Sequence, residues 1–150
     1  MCYVGHMTVF KWTGIVVGAL AILLTLATLF FRLVINPAVM EEIRTNPTGD
    51  EAREAMILTY DDRTLPVNYL REGNLVFMGV DGPWWRSFQG DGKAVTMVIK
   101  GETLTGHGVV VLDDDRYVED VFSRLRPTAP DWLPLWLNGR LVVITLSEAC

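Results

Sequence analysis

Cysteine is nearly absent: Cys2 and Cys150 stand at opposite ends of the 150 residues. They make no disulfide framework, and with only His6 and His107 to join them they make no metal site either. Metal catalysis is therefore not expected. A basic cluster is missing too. From Leu33 onward 11 Lys and Arg face 18 Asp and Glu, a net charge of −7. Nucleic-acid affinity comes mainly from cations that neutralise phosphates, so a nucleic-acid partner is not expected. The same balance argues against an anionic lipid surface as a partner of this part of the chain. There is no internal repeat, no low-complexity run, and no visible nucleophile–base constellation.

Charge is absent altogether from Trp12 to Phe31, WTGIVVGALAILLTLATLFF. Twenty residues of helix span roughly 30 Å, the thickness of a bilayer's hydrocarbon core. A cleaved signal peptide would have a shorter apolar region and a small-residue cleavage site, whereas this run ends in FFRLVINPA. A buried core helix would keep a polar face. The segment 12–33 is read as a single-pass membrane anchor in a lipid bilayer, with Trp12 and the Phe30–Arg32 end at the two interfaces. Gly14 and Gly18 have the GxxxG spacing that lets two such helices pack as a homodimer.

The expected organisation is a tail at 1–11, the anchor at 12–33, a tether at 34–51 and a folded domain at 52–150. In the tether, Val39, Met40 and Ile43 form one apolar helical edge before Asn46-Pro47, and Thr48 with Glu51 has capping-box spacing. Short apolar runs then alternate with turn signals: AMILTY, LPVNYL, LVFMGV, AVTMVI, TLTGHGVVVL and LVVITL. These predict six strands, several apolar on both faces, as in a sheet that closes on itself or is covered. DDDRYVEDVFSRL predicts a helix with Val118, Val121, Phe122 and Leu125 on its apolar face. Asp113–Asp115 belong at its N-terminus, where the helix dipole favours them. PTAPDWLPLW is broken by proline and reads as a packed loop. The fold class is mainly β with helices, a small barrel of about six strands behind one N-terminal transmembrane helix. A β-sandwich would not need helices at these points.

Residues 82–88, GPWWRSF, raise the functional question. Two adjacent tryptophans cannot point the same way. Pro83 suits the first turn of a helix, where its missing N–H is not needed. The free amides there, with Arg86 and Ser87, suggest a seat for a phosphate. One of Trp84 and Trp85 can wall a flat ring while the other plugs the barrel end.

The order of elements, with PWWRSF and TLPVNYL at 64–70, resembles the split β-barrel superfamily of flavin-binding, pyridoxamine-phosphate-oxidase-like proteins. It is most similar to the deazaflavin-dependent nitroreductase and quinone reductase branch. There a short helix opens with a W-(Y/W)-(R/H)-N-L type motif, matched by Trp84 or Trp85, Arg86, Ser87 and Phe88 with Ser for the usual Asn. GRLVVITL resembles the closing strand, and the likeness covers roughly residues 52–147. One departure is the first hairpin turn: DDRT keeps only Arg63 and Thr64 of a longer coenzyme-contacting loop.

The resemblance implies a membrane-anchored oxidoreductase that moves a hydride from a reduced deazaflavin coenzyme of the 8-hydroxy-5-deazaflavin type to a quinone or nitro-type acceptor. FMN is the alternative cofactor, and a non-catalytic anchored binding module is the alternative role. Arg63, Thr64, Tyr69, Trp84, Trp85, Arg86 and Ser87 are the expected cofactor contacts. Each also has a plainer reading: a core corner for the tryptophans, an ion pair with Asp81 or Asp91 for Arg86, turn residues for Arg63 and Thr64, packing for Tyr69. Lys100 reads as solvated and His107 as a strand histidine. A reduced coenzyme suits a domain on the cytoplasmic side.

Overall fold

The computed structural model describes residues 5–130, 134 and 139–147, with side chains from residue 12 onward. Cys2, Cys150 and most of the Trp-Leu-Pro stretch at 131–138 lie outside the described residues. The chain divides into two compact units, Met1–Ala38 and Val39–Cys150.

The first unit is one helix. The α1 helix, Gly5–Phe30, passes through a π turn at Phe31–Ile35 into α2, Asn36–Thr45. The wider turn comes just ahead of Pro37, whose ring and missing N–H disfavour a regular α-turn. Leu, Ile and Val side chains from Ile15 to Leu33 are exposed all round the helix. Two of its hydroxyls are satisfied within the helix: Thr25 and Thr28 donate to the carbonyls of Ala21 and Leu24, each at 2.8 Å. This helix is long and apolar enough to cross a membrane.

The second unit is a closed barrel of six antiparallel strands, the architecture expected from the sequence. The strands are β1 (Ala55–Tyr60), β2 (Arg63–Glu72), β3 (Leu75–Val80), β4 (Lys93–Ile99), β5 (Glu102–Val110) and β6 (Arg140–Leu146). They run in the order β1-β2-β3-β6-β5-β4, and β4 returns to pair with β1. The ten-residue β2 serves two neighbours, β1 through Arg63–Asn68 and β3 through Tyr69–Glu72.

Alternation decides what lies inside. Met56, Leu58 and Tyr60 of β1 meet Val76, Met78 and Val80 of β3 and Val95, Met97 and Ile99 of β4 in the interior. The opposite faces carry buried apolar residues where a helix covers them, while Val109 of β5 stays 40% exposed. Helix α4, Asp115–Leu125, lays Val118, Val121, Phe122 and Leu125 on Phe77 and Leu141. Its N-cap Asp114 accepts from the Tyr117 N–H at 3.0 Å. Ile43 of α2 and Ala52 of α3 (Asp50–Glu54) pack on Ala55 and Ile57, with Val39 and Met40 alongside. The cap of α3 is Gly49 rather than Thr48, and no side-chain capping bond forms, so the Thr48–Glu51 box is not realised.

One end of the barrel is closed by Phe88, which is fully buried. It enters beside β5, where a Cβ on Gly108 would stand 3.0 Å from its ring. Two residues away, a Cβ on Gly106 would stand 2.7 Å from both Ile144 and the Thr145 carbonyl. The glycines around His107 are therefore where a 3-10 turn and β6 crowd the strand. Phe88 is the fully buried residue of this turn, and Trp84 and Trp85 pack partly buried against the same core. Phe88→Ala should lower stability by about 3–5 kcal/mol, read as a shifted urea midpoint of the micelle-solubilised chain.

Candidate functional site

The site is built where β3 stops. After Val80 the chain turns at Asp81-Gly82, with Gly82 at φ +92°, and Pro83 opens a 3-10 turn over Pro83–Phe88. That turn sends its two tryptophans to different surroundings. Trp84 stacks on buried Tyr60, with ring centroids 5.7 Å apart and planes 16° apart. Its Nε1 donates to the Asp81 carbonyl at 2.8 Å. Trp85 instead takes two guanidiniums, with Arg86 at 5.0 Å and Arg140 at 5.6 Å from its ring centroid.

Asp81 is used twice. Its carboxylate accepts two hydrogen bonds from Arg126, at 3.0 and 3.3 Å, while its carbonyl holds Trp84. The Arg126 guanidinium also lies 5.5 Å from the Phe122 ring centroid. Gly79 makes room for this arrangement, since a Cβ there would come within 2.8 Å of Arg126 and 2.9 Å of Phe122. The end of β3, the 3-10 turn and the end of α4 are thereby locked together.

Between them and β2 runs a cleft of about 820 Å³, lined by residues 53–54, 65–69, 79, 81, 84 and 124–129. Leu65, Pro66, Trp84 and Leu125 supply apolar surface, and Arg53, Arg124 and Arg126 bring three cations. Each cation has an acid nearby. Arg53 pairs with Asp50 at 3.1 Å, Arg126 with Asp81, and Arg124 with Glu72 and, at 2.7 Å, with Asp120. Those two hydrogen bonds hold the Arg124 pKa above its usual value. Tyr69 reaches the Ala52 carbonyl at 3.4 Å. Burial raises its pKa, against a smaller lowering by Arg71.

Of the residues picked out in the sequence, Tyr69 and Trp84 line this cleft together. Arg63 and Thr64 sit on the exposed β1–β2 hairpin, where the Thr64 hydroxyl meets that of Thr59 at 3.1 Å. Trp85, Arg86 and half-buried Ser87 are outside its lining, and Arg86 stacks on Trp85 instead of pairing with Asp81 or Asp91. His107 is exposed and bonds the Asp91 carbonyl. Among the described residues no group of three His, Cys, Asp or Glu could hold a metal ion. Sequence reasoning missed Arg53, Arg124 and Arg126. The helical spacing of α4 puts Arg124 and Arg126 beside its apolar face, but nothing in the pattern brings that helix end to β3.

No family model matches the chain, and no curated protein matches it in sequence. Among solved structures it is similar to the crystal structure of a "Putative Pyridoxamine 5'-phosphate oxidase" from Listeria innocua. The TM-score is 0.47 at 11% identity, over 63% of this chain and 85% of that one. A likeness this loose carries no functional weight.

Because burial favours its neutral form, Tyr69 should remain a hydrogen-bond donor across the physiological range. A raised folded-state pKa means that its contribution to stability is complete below the unfolded-state value of 10.0 and is lost as pH rises through the higher folded value. Absorbance titration at alkaline pH should show a phenol step above the ordinary tyrosine range, and Tyr69→Phe should remove that step.

Proposed function

We propose that the chain is a membrane-anchored oxidoreductase whose cleft at Trp84 binds a reduced deazaflavin coenzyme and passes a hydride to a quinone or nitro-type acceptor. One observation carries this reading: a tryptophan fixed by Tyr60 and the Asp81 carbonyl stands in the same cleft as three guanidiniums. A flat ring with an anionic tail needs those two surfaces side by side. The cleft volume falls within the roughly 300–1,000 Å³ usual for small-molecule sites. Trp84, Leu65 and Pro66 would hold the ring, and Arg53 and Arg124 the tail. Their acids are exposed partners that an anionic ligand can displace at little cost. The bound coenzyme supplies the hydride chemistry. The protein's part is to position the ring, exclude water and offer the Tyr69 hydroxyl as a donor.

FMN is the second reading, and the first hairpin favours it. The β1–β2 connection is only Asp61-Asp62, tied to β4 by Lys93 at 2.8 Å from Asp61, with Arg63 and Thr64 away from the cleft lining. No long loop is present there to wrap a deazaflavin. The anchor at 12–33 supports a lipid-soluble acceptor met at the bilayer, with the domain on the cytoplasmic side.

Titrating the full chain in non-ionic micelles with the deazaflavin coenzyme and separately with FMN should quench tryptophan fluorescence at micromolar ligand for one of them. Trp84→Leu should weaken binding about tenfold or more, roughly 1.4 kcal/mol, and Trp85→Leu should leave it unchanged. If neither ligand binds, the oxidoreductase reading fails and a non-catalytic anchored module takes its place. A separate check concerns the anchor: alkaline carbonate extraction should leave the protein in the membrane pellet, and release into the supernatant would overturn the span at 12–33.

A further inference from the structure

On a chain of net charge −5, a second depression also collects positive charge. A second cleft, of about 340 Å³, lies between the end of β2 and the β4–β5 turn, lined by Arg53, Tyr69, Arg71, Lys100 and Glu102 with apolar Leu70 and Ile99. Three cations there face one acid. Arg71 reaches Glu102 at 3.5 Å, and the two side chains are 38% and 63% exposed, so the pair is loose. Among the described residues Arg53 pairs only with Asp50, which is 97% exposed. Lys100 makes no ion pair or hydrogen bond with the described residues.

Lys100 is also an unusual residue for its backbone. It stands at φ +50° with Gly101 at φ +83°, the two-residue hairpin conformation that Asn, Asp and Gly adopt most readily. A lysine there is strained relative to glycine, because its Cβ crowds the following carbonyl. The turn is also backed by Pro47, whose Cβ would lie 3.1 Å from a Cβ on Gly101. A cation is thus held on a packed turn at some conformational cost, pointing to a use for its charge. The two clefts share Arg53 and Tyr69, so they adjoin.

We infer that the second cleft is an anion subsite, and that the ligand of this protein is a flat ring carrying a polyanionic tail long enough to pass Tyr69 and reach Arg71 and Lys100. The tail assignment rests on the ring reading of the first cleft; the anion subsite does not. Tyr69, between the clefts, would turn its O–H from the Ala52 carbonyl, 3.4 Å away, toward the passing anion.

Two measurements on the full chain in non-ionic micelles separate these claims. Inorganic pyrophosphate, followed by titration calorimetry, should bind in a salt-sensitive way. The double variant Arg71→Ala/Lys100→Ala should weaken it about tenfold or more, and Arg63→Ala should not. Lys100→Gly should raise the melting temperature by relieving the turn while still weakening pyrophosphate, a combination that a purely structural lysine would not give. Absence of pyrophosphate binding, or equal binding in the double variant, overturns the subsite. In the second measurement riboflavin, FMN and FAD present one ring with no, one and two phosphates. Affinity should rise along the series, and the double variant should remove the gain of FAD while sparing riboflavin. Equal affinity for all three overturns the tail assignment. If neither these flavins nor the deazaflavin coenzyme quenches Trp84 while pyrophosphate binds, the ring reading has failed and the tail assignment fails with it, leaving the anion subsite standing.

Discussion

The pairing of β4 back onto β1 is the constraint on which the domain depends. Once Ile57 lies opposite Val98, the sheet has no free edge and every strand has one face committed to the interior. Six strands enclose too little space for anything but side chains, so the inward positions must be apolar throughout. The outer face is then sorted by what covers it. Phe77 and Leu141 are apolar because α4 lies on them, and Ala55 and Ile57 because α2 and α3 do. Where nothing covers the sheet, Thr64, Thr59, Thr96 and Thr105 stand in successive register across β2, β1, β4 and β5. Threonine suits that surface, β-branched for the pleat and polar for water.

A filled barrel has no room for a ligand inside, so binding surface must be made at its margins. Asp81 makes it here. One residue turns β3 into the 3-10 turn, fixes the indole of Trp84 through its carbonyl, and draws in the end of α4 through Arg126. The cleft is the gap left between that joint and β2. Its aromatic wall and its cations come from segments far apart in the chain and meet only because α4 folds back over β3 and β6.

The strands and α4 were legible in the sequence because their burial repeats at periods of two and 3.6 residues, and all of those elements are found. The assignment of the barrel plug was not. Trp84, Trp85 and Phe88 are all large and apolar, and what selects Phe88 is the absence of a side chain at Gly108, on a strand twenty residues later. The Thr48–Glu51 spacing is a local rule overridden locally, because Gly49 takes the cap position. Arg53, Arg124 and Arg126 gave no signal at all: cations at helix ends are ordinary, and only the tertiary fold brings three of them to one cleft. Arg86 lies over the half-buried indole of Trp85 and outside the cleft lining, a placement that the local sequence does not announce.

The plug has a further consequence. Phe88 and Gly108 share one allotment of space: a smaller residue at 88 leaves a void, and a Cβ at 108 stands 3.0 Å from the ring, which must give by a few tenths of an ångström to admit it. Sequence drift at this end of the barrel is therefore easiest when concerted, with bulk moving from the loop to the strand in a compensated exchange. The two tryptophans are restrained differently, Trp84 by its stack on Tyr60 and its bond to the Asp81 carbonyl, Trp85 by the two guanidiniums over its ring.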